Sequence, residues 1–285
     1  MKRAAVWFLV LALGFALMLA SHFGRPQPPA SASQPTTAAA DAARVPAGMF
    51  FLYLAGMALL MLAGSALLIG LYGSLLAGRA AWSLGSPLVA MFRHKRLLYG
   101  LHAAYFGAVI LFAAVAYAAP EAQQALLKQI GYAIHSGKGP LGMAGKAYLS
   151  RNVALAALVT VAINFLLGSL LSITVPSAIL PGVGLLVAAV RAVMWGLMLA
   201  PTCGALSRVM LPHSFTLLLE GEAYVLASFF AVLIPIYLFR RQEGPTPGRR
   251  YARALMLNLK GNVAVLIVLS AAAIYEAVEV ICMLP

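Results

Sequence analysis

Apolar residues fall along this chain in uninterrupted stretches, and polar and charged residues gather between them. A hydrocarbon core of about 30 Å takes about 20 helical residues. Seven runs approach that length, at roughly 4–21, 49–77, 97–119, 152–174, 182–200, 213–238 and 261–284. None alternates with period two, and lipid offers no partner to an unpaired backbone amide, so each run predicts a transmembrane helix. The expected fold class is all-α: a polytopic integral membrane bundle of about seven spans with a short interfacial helix.

Composition excludes the soluble alternative. Of 285 residues, 63% are hydrophobic and 9% charged, with a mean hydropathy of +0.93. A globular domain is about half apolar and a quarter charged. The net charge of +13 raises the question of nucleic acid. The basic residues sit in short loops between apolar runs and form no face interleaved with aromatics, which is a membrane pattern and excludes nucleic acid as a partner. Two cysteines, Cys203 and Cys282, can make at most one bridge, so there is neither a disulfide framework nor a thiolate zinc cluster.

Four regions follow. Residues 1–23 form an N-terminal membrane anchor; a signal peptide is the alternative, but cleavage after Ala20 would put Met18 where a small residue is needed. Residues 24–48, with Pro26, Pro28, Pro29, Pro35 and Pro46, read as an extended linker. Residues 49–147 hold two spans and an external loop, and residues 148–285 a four-helix core. In the loop, Pro120 and Glu121 open a helix on which Ala125, Leu126, Gln129, Ile130 and Ala133 repeat at helical spacing, followed by a Gly-rich turn. The glycines of SGKGPLGMAGK lack both the preceding strand and the spacing of a phosphate loop.

Orientation follows from the basic residues. With the N-terminus inside, the inner set is Lys2, Arg3, Arg79, Arg93, Lys95, Arg96, Arg240, Arg241, Arg249, Arg250, Arg253 and Lys260. The outer set, in longer loops, is Arg25, Arg44, Lys128, Lys138, Lys146, Arg151 and Arg208. This predicts a cytoplasmic N-terminus and an external C-terminus in a plasma-membrane protein.

Charge within hydrocarbon costs at least about 2.5 kcal/mol near the centre, so ionisable residues inside spans need a reason to be there. Arg191 lies in the fifth run, Glu220 and Glu222 in the sixth, and Glu276 and Glu279 in the seventh. At 1.5 Å per residue, the sixth-run pair lies roughly 10 to 14 Å below the outer end, and the seventh-run pair roughly 7 to 12 Å. His213, Glu220 and Tyr224 share one helical face, as do Glu276 and Glu279. Glu222 points about 160° away from Glu220, so one of the two faces a different neighbour. The expected site is a polar cluster of Arg191, His213, Glu220, Glu222, Glu276 and Glu279 between the last three spans. It is either a network specifying helix packing or a site for a partner, ion or proton. No HExxH is present, so no metal or other cofactor is expected and no residue is assigned to catalysis.

Asn152, Asn164 and Gly168 in the fourth run, and Gly56, Ala63, Gly64, Gly70, Gly73 and Gly78 in the second, suit close helix packing. Pro176, Pro181, Gly182 and Gly184 break the chain between the fourth and fifth runs, and PTCGALSRVMLP, from Pro201 to Pro212, forms an external stretch. Such breaks occur at transporter sites as well as at ordinary helix ends, so a permease stays open.

From about Tyr148 onward the chain resembles the stage II sporulation protein M family. The resemblance is carried by YLSRNVALAALVTVAINFLLGS with Asn152, Asn164 and Gly168, by ILPGVG at 179–184, by LPHSFTLLLEGEAYVLA at 211–227, and by the late AAAIYEAVEV. Ser214 stands where the family carries Gly, and Glu220 follows His213 by seven residues rather than four. Pro212, His213, Glu220 and Glu276 are the positions that carry over. The resemblance implies a non-enzymatic membrane component that holds cell-wall-degrading partners in a complex. The expected function is accordingly a scaffold or assembly partner in the cell envelope, in contact with the lipid bilayer and other membrane or envelope proteins, with an oligomer open. The alternative is a permease binding an ion or small solute at the polar cluster; intramembrane hydrolysis or lipid modification is a third reading of the same residues.

Overall fold

The computed structural model describes residues 2–23, 44–77, 85–239 and 246–283. Among these the chain is helical almost throughout: α1 (Lys2–Phe23), α2 (Ala47–Ala77), α3 (Gly85–Arg93), α4 (Lys95–Ala118), α5 (Pro120–His135), α6 (Gly139–Leu149), α7 (Val153–Ala162), a π-helix (Ile163–Thr174), α8 (Val175–Ile179), α9 (Val183–Leu199), α10 (Gly204–Phe239) and α11 (Pro247–Val278), which ends in a π turn (Glu279–Met283). Six helical stretches are long and apolar enough to cross a membrane, and α9 is a shorter apolar helix of 17 residues. The protein is an all-α polytopic membrane bundle, and each of the seven apolar runs lies on a helix. Residues 24–43 of the expected linker, Gly78, Arg79, Arg240 and Arg241 lie outside the described residues.

Side chains on the outer surface are apolar as well as those inside. Leu9, Leu62, Leu111, Leu158, Leu186 and Ile274 are all exposed, as expected of helices whose outer faces meet lipid rather than water. The interior is organised on α10. From Leu217 to Ile234 nearly every side chain of this helix is buried, including Tyr224, Phe229 and Phe230, because α2, α4, α9, the π-helix and α11 all pack around it.

Two helix boundaries differ from expectation. α10 begins at Gly204, so most of PTCGALSRVMLP is helical and only Pro201–Cys203 remains outside it. Pro212 lies inside the helix, as proline does in membrane helices packed against neighbours, and its own carbonyl accepts from the Tyr275 hydroxyl of α11 at 3.0 Å. Glu220 and Glu222 therefore stand near the midpoint of a 36-residue helix, about 24 to 27 Å from its start. α11 likewise starts at Pro247 and is 32 residues long. The expected Gly-rich turn is largely a helix, Gly139–Leu149; only Gly137 and Gly139 take positive φ, at 64° and 67°.

Close approach of backbones explains several small residues. A Cβ on Gly56 would meet the Gly14 carbonyl oxygen at 2.5 Å and Met18 Cγ at 2.7 Å, so α1 and α2 pack directly on each other's backbones. Gly64 faces Leu218 and Gly73 faces Phe92, but a Cβ on Gly70 would meet nothing within 4 Å among the described residues.

Side-chain links mark the two ends of the bundle. At one end Val45 N donates to the Thr202 carbonyl at 3.0 Å, and Tyr117 donates to the Val45 carbonyl at 2.8 Å. There Gln123 of α5 donates to the Met198 and Ala200 carbonyls at 3.1 and 2.8 Å and accepts from the Thr202 hydroxyl, satisfying carbonyls that the end of α9 leaves open. At the other end His94 pairs with Tyr237 at 3.1 Å, and Tyr251 donates to the Ala178 carbonyl at 2.7 Å.

Candidate functional site

The π-helix decides which side chains face the bundle interior. On an α-helix, residues five apart point about 140° away from each other. Winding with i→i+5 hydrogen bonds brings them back onto one face. The buried residues here are Gly168 with Ser169 and Ile173 with Thr174, a repeat of five, and Asn164 continues the line upward. Asn164 Nδ2 donates to Glu220 Oε1 at 2.6 Å. Ser169 and Thr174 hydroxyls donate to Asn262 Oδ1 at 3.4 and 3.3 Å, and Asn262 Nδ2 donates to Asn258 Oδ1 at 3.1 Å. One helix thus engages both α10 and α11 through polar side chains.

Arg191 enters this group from α9. Its guanidinium lies over the Tyr224 ring, 4.2 Å from the centroid, and reaches the Gly168 carbonyl at 3.5 Å. Gly168 leaves the space: a Cβ there would meet Tyr224 Oη at 3.0 Å and Arg191 Nη1 at 3.3 Å. Arg191 attracts and Glu276 repels charge on Glu220, so the three form one electrostatic group. Glu276 lies beside Tyr148 of α6, whose hydroxyl pairs with Thr160 Oγ1 at 3.0 Å. Burial, with the Glu276 carboxyl beside it, pushes the Tyr148 phenol well above its ordinary range. The Tyr105 and Tyr224 hydroxyls are buried here with no hydrogen-bond partner among the described residues.

Glu279, fully buried in the first residue of the π turn, closes the group. Its Oε1 meets His213 Nδ1 at 3.0 Å, and its Oε2 accepts from Thr216 at 2.7 Å. His213 and Glu220 face the same side of α10 but take different partners. Arg191, His213, Glu220, Glu276 and Glu279 are therefore brought together, with the fourth span contributing Asn164 and Gly168.

Glu222 stands apart from them. It points to the opposite side of α10, where His102 Nε2 approaches Oε2 at 2.6 Å and Tyr72 donates to Oε1 at 3.1 Å. His102 Nδ1 lies 2.7 Å from the Leu98 carbonyl, which can only accept, so Nδ1 carries hydrogen. The Nε2 to Oε2 contact then holds one proton between two groups, as imidazolium with carboxylate or imidazole with carboxylic acid. The pair is neutral in both forms, which suits an apolar interior. The 160° angle between Glu220 and Glu222 is thus realised, and it removes Glu222 from the six-residue cluster.

Asn152 is also reassigned. It is exposed, and as N-cap of α7 its side chain accepts from Leu155 N at 3.0 Å; this satisfies a free first-turn donor rather than a second helix. His102, Tyr72, Tyr148 and Thr216 were not singled out by sequence reasoning, although His102 interrupts an apolar run on a helix four residues after Leu98. Cys203 and Cys282 are both free thiols.

Comparison with known proteins finds no matching family model, curated protein or solved structure.

Proposed function

We propose that this protein is a non-enzymatic multi-pass scaffold or assembly partner in a membrane complex of the cell envelope. The observation that carries the reading is that three of the four intramembrane carboxyls are committed to hydrogen bonds from other helices: Glu220 to Asn164, Glu222 to His102 and Tyr72, and Glu279 to His213 and Thr216. Groups used in this way specify which helices pack together. The resemblance of residues 148–282 to the stage II sporulation protein M family supports the same reading and suggests peptidoglycan remodelling as its setting. Crosslinking in native membranes should recover protein partners in fixed stoichiometry, and solute uptake into proteoliposomes should equal that of empty vesicles. Recovery of the chain alone, with no partner at any crosslinker length, would defeat the scaffold.

A permease is the second reading, favoured by the grouping of Glu220, Glu276 and Arg191 beside the unpartnered hydroxyls of Tyr105 and Tyr224. Solute flux that disappears in Glu220→Gln, with the fold intact, would establish it.

The orientation proposed is N-terminus in the cytoplasm and C-terminus outside, in the plasma membrane. Arg93, Lys95, Arg96, Arg249, Arg250 and Arg253 belong to the end marked by the His94 to Tyr237 contact, and the bias of basic residues makes that the cytoplasmic end. A cysteine introduced beside Arg249 should resist an impermeant thiol reagent in intact cells, whereas one beside Lys138 should label. The opposite labelling pattern would reverse the orientation.

A further inference from the structure

Between α1, α2 and α4 a cavity of about 460 Å³ opens on the outer surface of the bundle, where Leu62, Tyr99, Ala103 and Gly107 are exposed. We propose that it holds an anionic glycerophospholipid of the leaflet at the basic end. One acyl chain lies between α2 and α4, an ester carbonyl meets Ser65, and the phosphate meets Lys95 and Arg96.

Ser65 supplies the polar anchor. Ser74, Ser172, Ser214, Ser228 and Ser270 each donate to the carbonyl four residues earlier, which is how a hydroxyl is ordinarily satisfied on a helix. Ser65 does not. It is 6% exposed and lines the cavity, and its hydroxyl has no hydrogen-bond partner among the described residues. A buried hydrogen bond left unmade is costly, and an acceptor entering the cavity removes that cost. Helix packing fixes the level of this hydroxyl. Phe50 of α2 stacks on Tyr117 of α4 with ring centroids 4.1 Å apart. The two helices run in opposite directions, so fifteen residues further along each, Ser65 is level with His102. Gly14 of α1 packs against Gly56 and Leu60 of α2, which puts Trp7 within about a turn of the same level. Trp7, Ser65, Tyr99 and His102 therefore form one end of the cavity, and Ala58, Leu62, Phe106 and Ile110 the other.

Each part of a phospholipid meets matching chemistry along this length. From Tyr99 to Ile110 the wall on α4 runs about 16 Å, about the depth of one leaflet in a hydrocarbon core of about 30 Å, so a single acyl chain fills the apolar end. Ester carbonyls only accept, and the Ser65 hydroxyl, the Trp7 indole and the Tyr99 phenol all carry donors. Trp and Tyr are also the side chains that settle at the level of lipid headgroups. Lys95 and Arg96 lie four and three residues before Tyr99, on the same side of α4 and one turn nearer the basic end, and both are exposed. One turn is about 5 Å, comparable with the few glycerol bonds that part a lipid's phosphate from its esters. Cations at that place attract an anionic headgroup. The Glu222 carboxyl, which meets His102, is fully buried and does not line the cavity. Under the orientation proposed above, the lipid belongs to the cytoplasmic leaflet.

The test uses the full chain, delipidated in mild detergent and then offered phosphatidylglycerol and phosphatidylcholine of the same chain length, with native mass spectrometry reading retention of each. Phosphatidylglycerol should be retained in preference. Gly107 lines the cavity, and a Cβ there would meet nothing within 4 Å among the described residues. G107L therefore fills the chain's space without disturbing the backbone, and should lower retention of both lipids about tenfold. S65A removes a hydroxyl that no protein group uses; it should lower retention about threefold and leave thermal unfolding of the lipid-free chain unchanged. K95Q/R96Q should cancel the preference for phosphatidylglycerol, whereas R249Q/R253Q, which removes the same charge from α11 at positions that do not line the cavity, should preserve it. Where G107L does not fold, A103L narrows the same wall from an exposed position, with the same loss expected. Retention by the filled variants as tight as by the natural chain, equal retention of the two lipids by the natural chain, or the same change in R249Q/R253Q as in K95Q/R96Q would overturn the proposal.

Discussion

Replacing His102 with leucine is expected to destabilise the folded protein in detergent by about 3–5 kcal/mol, the usual cost of taking one partner from a buried ionic pair. Glu222 is fully buried and His102 nearly so. With the imidazole gone, Glu222 keeps only the Tyr72 hydroxyl at 3.1 Å, and no water-exposed rotamer is open to it in the middle of α10. Glu222→Gln should be far milder, under about 1.5 kcal/mol: the amide can donate to a neutral Nε2 and accept from Tyr72, and the natural pair is already neutral overall. Removing all three polar groups together, as Y72F/H102L/E222L, should cost less than His102→Leu alone, because no polar atom is then left without a partner. Equilibrium unfolding in mixed micelles gives all three values. A loss below about 1 kcal/mol for His102→Leu, or a triple variant worse than the single, would show that the pair does not hold α4 against α10 in this way.

The helices were legible in the sequence because the bilayer imposes one length scale, and every run near 20 apolar residues lies on one. Their polar ends were less legible. Pro212 and the residues around Arg208 look like the close of a loop, and PGRRYARALMLNLK looks like a cytoplasmic segment, yet both belong to helices that extend well past the apolar run. A long helix at a membrane surface needs no apolar pattern, only neighbours for its backbone, and hydropathy does not register neighbours.

The candidate site divides in the same manner. The grouping of Arg191, His213, Glu220, Glu276 and Glu279 followed from depth and helical face. So did the divergence of Glu220 and Glu222, though not which of the two leaves the group, since 100° per residue fixes only the angle between them. What lay on the other side of Glu222 was hidden, because Tyr72 and His102 are 150 and 120 residues away in sequence. The π winding of Ile163–Thr174 was hidden for another reason. Read as α-helix, Asn164, Ser169 and Thr174 scatter around the axis, and only i→i+5 bonding gathers them toward Glu220 and Asn262.

Arg191 gives the second large effect. It is the cation acting on Glu220, and its guanidinium fills the space that Gly168 leaves against Tyr224. Methionine at this position keeps most of the volume and removes the charge, leaving Glu220 beside Glu276 with no compensating cation at that point. A loss of about 3–5 kcal/mol is expected for Arg191→Met. The double variant R191M/E220Q should recover at least about half of it, since the neutral amide can still accept from Asn164 and no longer repels Glu276. If the two losses simply add, Arg191 and Glu220 are not coupled, and the group is a set of separate contacts. The same double variant separates the two functional readings. In a scaffold its restored stability should bring back the yield of crosslinked complex, because the network matters only for how the helices stand. In a permease the chain would be equally stable and assembled, yet transport would stay lost, because the charges themselves would be what the solute meets.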